Sequence, residues 1–354
     1  RYWVTAYRVD GFRFDLASIL GRNEDGSPME KPPLLQQLAF DPILGDVKLI
    51  AEAWDAGGLY QVGKFPSWNR WAEWNGRYRD DIRRYLKGDE GTAGAAALRI
   101  AGSSDIYDPS VRDNASVNFI TCHDGFTLYD LYSYNVKHNE SNGWNNTDGS
   151  NDNHSWNCGA EGETEDKAVN TLRRRMIRNA CAVLMCSRGI PMFLAGDEFG
   201  NTQFGNNNPY CHDDEVSWLD WGLLEKNQDI FRFFKSMIHF RKEHPVLRSN
   251  VSNGFGGLPD ISFHGTRPWA MGFSGSDRYI GVMMAGQEEG KQPEAVYIAS
   301  NAYWEQLEAV LPKLPDGMEW FRAVNTWDAQ VSESGPVGSG FTIPPRTVMV
   351  FCGR

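Results

Sequence analysis

The sequence predicts an α/β fold: a parallel barrel-type region over residues 1–247, followed by an all-β sandwich over residues 248–354. Three observations lead there. Up to about Leu247, short β-branched or aromatic runs alternate with helical patterns, as parallel strands joined by crossover helices do. Beyond it, strand-like pieces such as Tyr279 to Met284, Ala295 to Ala299 and Thr347 to Phe351 are separated by Gly, Pro and Asp turns, with no long helix between them. Finally, three apolar runs end in an acid. In a parallel barrel the functional groups sit at strand ends, where the following loops form the active face.

The first strand is Val9-Asp10-Gly11-Phe12-Arg13-Phe14-Asp15, followed by a polar turn from Gly21 to Pro28 and a helical stretch around Leu34 to Ala39. Val47 to Ala53 is a second strand, with Glu52, Trp54 and Asp55 at its end, and Arg70 to Asn75 has the character of a short one. Tyr78 to Leu86 spaces its apolar residues as a surface helix does. Val117 to Cys122 is the next strand and delivers His123-Asp124, with a helix expected at Thr127 to Tyr134. Lys137 to about Asp166 is a loop rich in Asn, Gly and Asp, of a length that is usually functional or disordered. A helix from Lys167 to Ser187, a strand from Ile190 to Glu198 and an amphipathic helix from Ile230 to Glu243, stopped by Pro245, complete the region.

Composition narrows the function. At 41% apolar and 23% charged residues the chain is an ordinary globular protein, long enough to bury a sizeable core. A net charge of −11 argues against nucleic acid or an anionic membrane as the main partner and suits a neutral polymer. The six cysteines form no CxxC pair, and Cys122, Cys181 and Cys186 lie in apolar stretches. This favours a reducing, cytoplasmic setting, or a plastid if the source is a plant or alga. The chain opens on Arg1-Tyr2-Trp3-Val4 and runs at once into a buried strand with a candidate catalytic acid, so it reads as a fragment whose upstream part is missing.

Arg13 and Asp15 fall on one face of their strand, where the guanidinium favours the ionised carboxylate that a nucleophile requires. A structural ion pair is the plainer alternative. Glu52 stands among Ile50, Ala51, Ala53 and Trp54, a setting that raises a carboxyl pKa towards the range of a general acid. Trp54 can shield it or stack on a sugar ring. Asp124 can bind hydroxyls and stabilise positive charge, with His123 donating beside it. Two carboxyls about 5–5.5 Å apart around an oxocarbenium-like transition state define retaining glycoside hydrolysis. Adjacent strand ends, about 4.8 Å apart, allow that spacing.

Gly11-Phe12-Arg13-Phe14-Asp15, Ala51-Glu52-Ala53-Trp54-Asp55 and Phe119-Ile120-Thr121-Cys122-His123-Asp124 resemble the signature regions of the α-amylase superfamily. The text from His123 to Leu131, the loop Asp148 to Asn153 with Ser155 to Gly159, Leu194 to Gly200, and Trp218-Leu219-Asp220-Trp221 are similar to the isoamylase-type glycogen and starch debranching enzymes. The resemblance covers essentially the whole chain. It implies Asp15 as nucleophile, Glu52 as general acid/base and Asp124 as transition-state stabiliser, with Arg13, Trp54 and His123 binding substrate. The implied substrates are branched α-glucans (glycogen, amylopectin or limit dextrins), cleaved at α-1,6 linkages without a cofactor or metal. It also implies that Asp15 ends the fourth strand of a (β/α)8 barrel, so that this chain carries about strands 4 to 8 and lacks the family's third-strand motif and N-terminal β-sandwich. The 354 residues alone are therefore expected to be inactive. Cys122 stands where many superfamily members have Asn, with no chemical consequence expected.

A non-catalytic glucan-binding subunit is the rival of a different class; it predicts loss of at least one acid, and all three are present. An α-1,4-acting amylase or a transglycosylase of the same superfamily fits the text after His123 less well. Among thirteen tryptophans, Trp54, Trp68, Trp71, Trp74, Trp144 and Trp156 fall in candidate loops as sugar platforms or loop packing. Asp148 to Asn153 alternates oxygen donors like a calcium loop but lacks the sixth-position Gly and twelfth-position Glu, so a solvated loop is expected. His154 with Cys158, and Cys211 with His212, lack zinc-ligand spacing, and Gly335 to Gly340 is a turn leading to a strand.

Overall fold

A parallel sheet forms where the apolar runs recur. In the computed structural model, which describes residues 1–108, 115–248, 254–270, 276–288 and 290–354, five strands lie in sequence order. They are β1 (Gly11–Phe14), β2 (Lys48–Ala51), β3 (Ala72–Trp74), β4 (Ser116–Phe119) and β5 (Ile190–Met192). Phe14 pairs with Ala51, Ala51 with Glu73, and Trp74 with Val117, so the strands end nearly level. Among the described residues the sheet is open: β1 pairs only with β2, and β5 only with β4. The segment at Arg70 to Asn75 is a full member of the sheet, which makes the His123-Asp124 strand the fourth.

The helices are α1 (Tyr2–Tyr7), α2 (Pro33–Phe40), α3 (Gly76–Lys87), α4 (Ala93–Ile100), α5 (Leu128–Leu131), α6 (Lys167–Cys186), α7 (Gly222–Lys226) and α8 (Gln228–Glu243). Local chemistry fixes their ends. The buried Asn75 side chain accepts from Tyr78 N at 2.9 Å to start α3, and Gly88 ends it at φ 93°. Asp166 caps α6 through Ala168 N, and Pro245 follows the close of α8.

Two expectations are corrected. The helix expected over Thr127 to Tyr134 contracts to α5, because Thr127 caps Asp130 N and the chain then turns to meet the loop near Trp156. The strand expected over Ile190 to Glu198 stops at Met192; Gly196 (φ 98°) and Gly200 (φ 73°) bend the chain into a 3-10 turn, Asp197–Phe199. Two helices were not anticipated: α4, whose buried face is built mainly of alanines, and the aromatic α1, which buries no residue.

The second region is antiparallel: β6 (Ile261–His264), β7 (Tyr279–Gly286), β8 (Glu294–Asn301), β9 (Leu307–Val310), β10 (Trp320–Asn325), β11 (Gln330–Val331), β12 (Pro336–Val337), β13 (Gly340–Ile343) and β14 (Thr347–Gly353). Its large sheet runs β11-β10-β14-β8-β7-β6, with β12 also on β10, and β13 pairs with β9 as a ribbon. Every residue of β7 is buried, because both sheet faces are covered. Ile280, Val282 and Met284 pack with the helices, whereas Tyr279, Met283 and Ala285 pack with Ala309 and Ile343 of the ribbon. One hydrophobic cluster therefore runs from α3, α4, α6 and α8 into the antiparallel sheet.

Polar bonds fix that junction. Arg188, 2% exposed, grips Asp260 with two bonds, at 2.7 and 2.5 Å, and Tyr85 OH donates to Ser300 O at 2.8 Å. Asp260→Ala leaves the buried guanidinium unpaired, so its denaturation midpoint should fall by the equivalent of about 2 kcal/mol. The exposed control Asp316→Ala should unfold with the parent; equal midpoints for parent and Asp260→Ala would refute a role for the pair.

Candidate active site

The level strand ends bring the three acids to one edge of the sheet. Asp15 follows β1, Glu52 follows β2, Trp74 closes β3, and His123-Asp124 stand a few residues beyond β4. In open parallel sheets, ligands bind outside these carboxyl ends.

Arg13 is the centre of the arrangement. Its Nη1 donates to Asp15 Oδ1 at 2.8 Å, and its Nη2 lies 3.0 Å from Glu52 Oε1. The two terminal nitrogens share one carbon, so the oxygens they grip are held within about 8 Å of each other. The guanidinium lies over the Trp74 ring, 4.3 Å from its centroid, in a cation–π contact. That ring meets His123 edge-on at 5.8 Å, and His123 Nε2 is 3.5 Å from Asp124 Oδ2. Asp15, Glu52, Arg13, His123 and Asp124 thus form one chain of contacts.

The carboxyls differ in environment. The Asp15 side chain is 71% exposed, whereas Glu52 is 2% exposed. Burial pushes the Glu52 pKa above the usual carboxyl value; Leu16 N–H and Arg13 oppose the rise, and the charges of Asp15 and Asp124 add to it. Leu16 N donates to Glu52 Oε2 at 2.7 Å from a residue in the left-handed region, φ 41°. A non-glycine residue rarely adopts that conformation, and the strained turn directs the amide at the buried acid.

Trp54 lies beside this group. Its ring is parallel to that of Tyr60, with centroids 6.0 Å apart, and packs near Gly76 at the start of α3. Asp55 anchors the same loop: Arg22 holds it with bonds of 2.6 and 2.9 Å and lowers its pKa to about 2.

Several supporting residues carry no clear sequence signal. Arg83 on α3 is buried, donates to Ile120 O and Asn153 O, and so braces the β4 loop; burial lowers its pKa to about 10. Asp197 is fully buried behind that loop, where it accepts from Thr121 Oγ1, from Leu128 N at 2.8 Å and from Leu194 N at 3.2 Å. Its burial raises its pKa to about 7. The apolar run before Asp197-Glu198 suggests a strand end, and the resemblance of Leu194 to Gly200 marks the segment without giving Asp197 a role.

The loop around Asp148 is also more structured than expected. Residues 150 to 152 are exposed, but Asn153 is buried, and Lys137 Nζ donates to Asp148 O at 2.6 Å and Gly149 O at 3.1 Å. An ammonium thus occupies carbonyls that would otherwise suit a cation. Among the described residues, no group of three or more His, Cys, Asp or Glu side chains could hold a metal ion. A cavity of about 1300 Å³ lies elsewhere, between α8 and the antiparallel sheet, and none of the six candidate residues lines it.

No family model matches the chain. It is 46% identical over 346 residues to isoamylase 3, chloroplastic, of Oryza sativa subsp. japonica, covering 97% of this chain and 43% of that protein. It is 42% identical over 386 residues to the glycogen operon protein GlgX homolog of Mycobacterium tuberculosis, covering 99% of this chain and 51% of the relative. The chain therefore spans about half the length of the curated relatives it matches. Its fold is similar to the pullulanase from Bacillus acidopullulyticus (TM-score 0.70, 20% identity, 99% of this chain and 38% of that one). It is also similar to a pullulanase from Anoxybacillus sp. LM18-11 solved with maltotetraose (TM-score 0.65, 21% identity, 99% and 45%). With these identities extending along almost its whole length, the chain belongs to the isoamylase-type family of glycogen and starch debranching enzymes within the α-amylase superfamily.

Proposed function

We propose that the protein hydrolyses α-1,6 branch linkages of glycogen, amylopectin or their limit dextrins with retention of configuration. The observation that carries this reading is the single guanidinium of Arg13 shared by an exposed carboxylate, Asp15, and a buried carboxyl, Glu52, at adjacent strand ends. Asp15 is the nucleophile: its carboxylate attacks the anomeric carbon while Glu52 transfers its proton to the departing oxygen. Water then attacks the glycosyl-enzyme, Glu52 takes up a proton, and Asp15 is released. Asp124 stabilises the oxocarbenium-like charge, and Arg13, His123 and Trp54 contact the sugar. The names of the relatives support this reading. So does maltotetraose in a structural neighbour.

The five strands serve in this reading as the fourth to eighth strands of a (β/α)8 barrel, residues 1–247 forming the catalytic part and 248–354 the β-sandwich. The compartment is a cytoplasm or, in a plant or alga, a plastid; several relatives are named chloroplastic. No described helix is long and apolar enough to cross a membrane. Because β1 and β5 leave the sheet unclosed among the described residues, the 354 residues by themselves should show no branch-point turnover. Normal turnover by this chain would refute the barrel assignment.

Two measurements test the acid/base role. In the full-length enzyme, Glu52→Gln should lower the hydrolysis of amylopectin, followed by the shift of its iodine colour towards blue, by about 10³-fold or more. Retained turnover removes Glu52 from the mechanism. The second measurement concerns stability. The folded pKa of Glu52 is raised, so ionising it costs stability, and that cost grows as pH rises from the unfolded value through the folded one. Glu52→Gln abolishes the titration. Relative to the parent, its melting temperature should therefore improve from pH 4 to pH 7, and a pH-independent difference would contradict the raised value.

A further inference from the structure

Beyond the acids, the loops after β4 and β5 carry two large aromatic side chains at the surface. Trp144 is 59% exposed and Tyr210 is 66% exposed. They are not loose: Trp144 Nε1 donates to Tyr210 OH at 2.9 Å, which satisfies the indole N–H and leaves the ring faces uncommitted. Both stand on a rigid base. Asn142, two residues before Trp144, donates to Asn208 O at 2.8 Å and to Asp148 Oδ2 at 2.7 Å, and Asn208 lies two residues before Tyr210. Beneath them Asn139 Nδ2 donates to Asn207 Oδ1 at 2.8 Å, and both residues are at most 2% exposed. Buried amides on loops are costly unless bonded, and here the bonds join the two loops into one unit.

That unit is continuous with the candidate active site. Gly125, the neighbour of Asp124, donates its N–H to Asn207 O at 3.0 Å. The loop that carries Tyr210 is therefore bonded to the loop that carries Asp124.

We infer that Trp144 and Tyr210 form a stacking platform for an α-1,4-linked glucan chain of the branched substrate, outside the bond that is cleaved. This rests on the hydrolase reading above, because the bond to the Asp124 loop is what selects a glucan as occupant. The chemistry suits it. Apolar sugar faces stack on aromatic rings, and an amide-rich base, whose one carboxylate (Asp148) is bonded by Asn142 and Asn208, offers the neutral donors and acceptors that a polyol needs. Ordering the rings in advance lowers the entropy lost on binding.

The test is electrophoresis of the full-length enzyme through native gels containing amylopectin, with Glu52→Gln present so that the polymer stays intact and hydroxyethylcellulose as the control polymer. Amylopectin should retard Glu52→Gln, and adding Trp144→Ala should weaken the apparent affinity about tenfold. Adding Trp144→Phe instead keeps a ring without the Tyr210 bond and should restore most of the affinity. Three results overturn the platform: no retardation of Glu52→Gln, unchanged retardation with Trp144→Ala, or equal loss with Trp144→Phe. Retardation by hydroxyethylcellulose as strong as by amylopectin overturns its selectivity for α-glucan. Failure of the hydrolase reading looks different: the original enzyme leaves amylopectin branches uncut while the Trp144 variants still separate in the gel.

Discussion

One cation holds the centre of this molecule together. Arg13 reaches across two strand ends and neutralises part of the charge of two carboxyls that would otherwise repel each other. Its stem belongs to β1, its acceptors follow β1 and β2, and its face rests on an indole from β3. The parallel register is what lets one side chain do this, because Phe14 lies opposite Ala51 and Ala51 opposite Glu73. A one-residue slip would turn the acids to the other face of the sheet.

Around that cation the two carboxyls are made unlike. Asp15 faces solvent, and Glu52 is enclosed, with a backbone amide supplied by the strained Leu16. Burial raises the pKa of the enclosed acid and the cation limits the rise, so position and charge together set its protonation. Behind the His123-Asp124 loop, Arg83 and Asp197 brace the backbone from α3 and from the turn after β5. These groups act through the backbone that carries the site.

Much of this was legible in the sequence. The acids announced themselves because each ended an apolar run, and the strand alternation put Arg13 beside Asp15 correctly. The β-rich region was readable from turn spacing alone, as β7, β8 and β14 attest. What escaped was long-range. Trp74 could be named as a candidate but not set beneath Arg13, because that contact depends on the pairing of β1, β2 and β3. Asp197 looked like a strand-end acid, since nothing local reveals that Thr121 and Leu128, about seventy residues earlier, supply its donors. The Asp148 to Asn153 loop read as solvated because it lacks the Gly and Glu of a calcium loop, and nothing local reveals that the partner loop near Asn207 bonds the amides buried here.

The lysine on the Asp148 and Gly149 carbonyls has a consequence of its own. Loops rich in carbonyl and carboxylate oxygen are often tied down by a borrowed ion, and then their order varies with the mineral content of the surroundings. Here the positive charge is covalently part of the polypeptide. A tether that travels with the backbone cannot be chelated away or diluted out, so these two carbonyls keep their counter-charge whatever ions surround them.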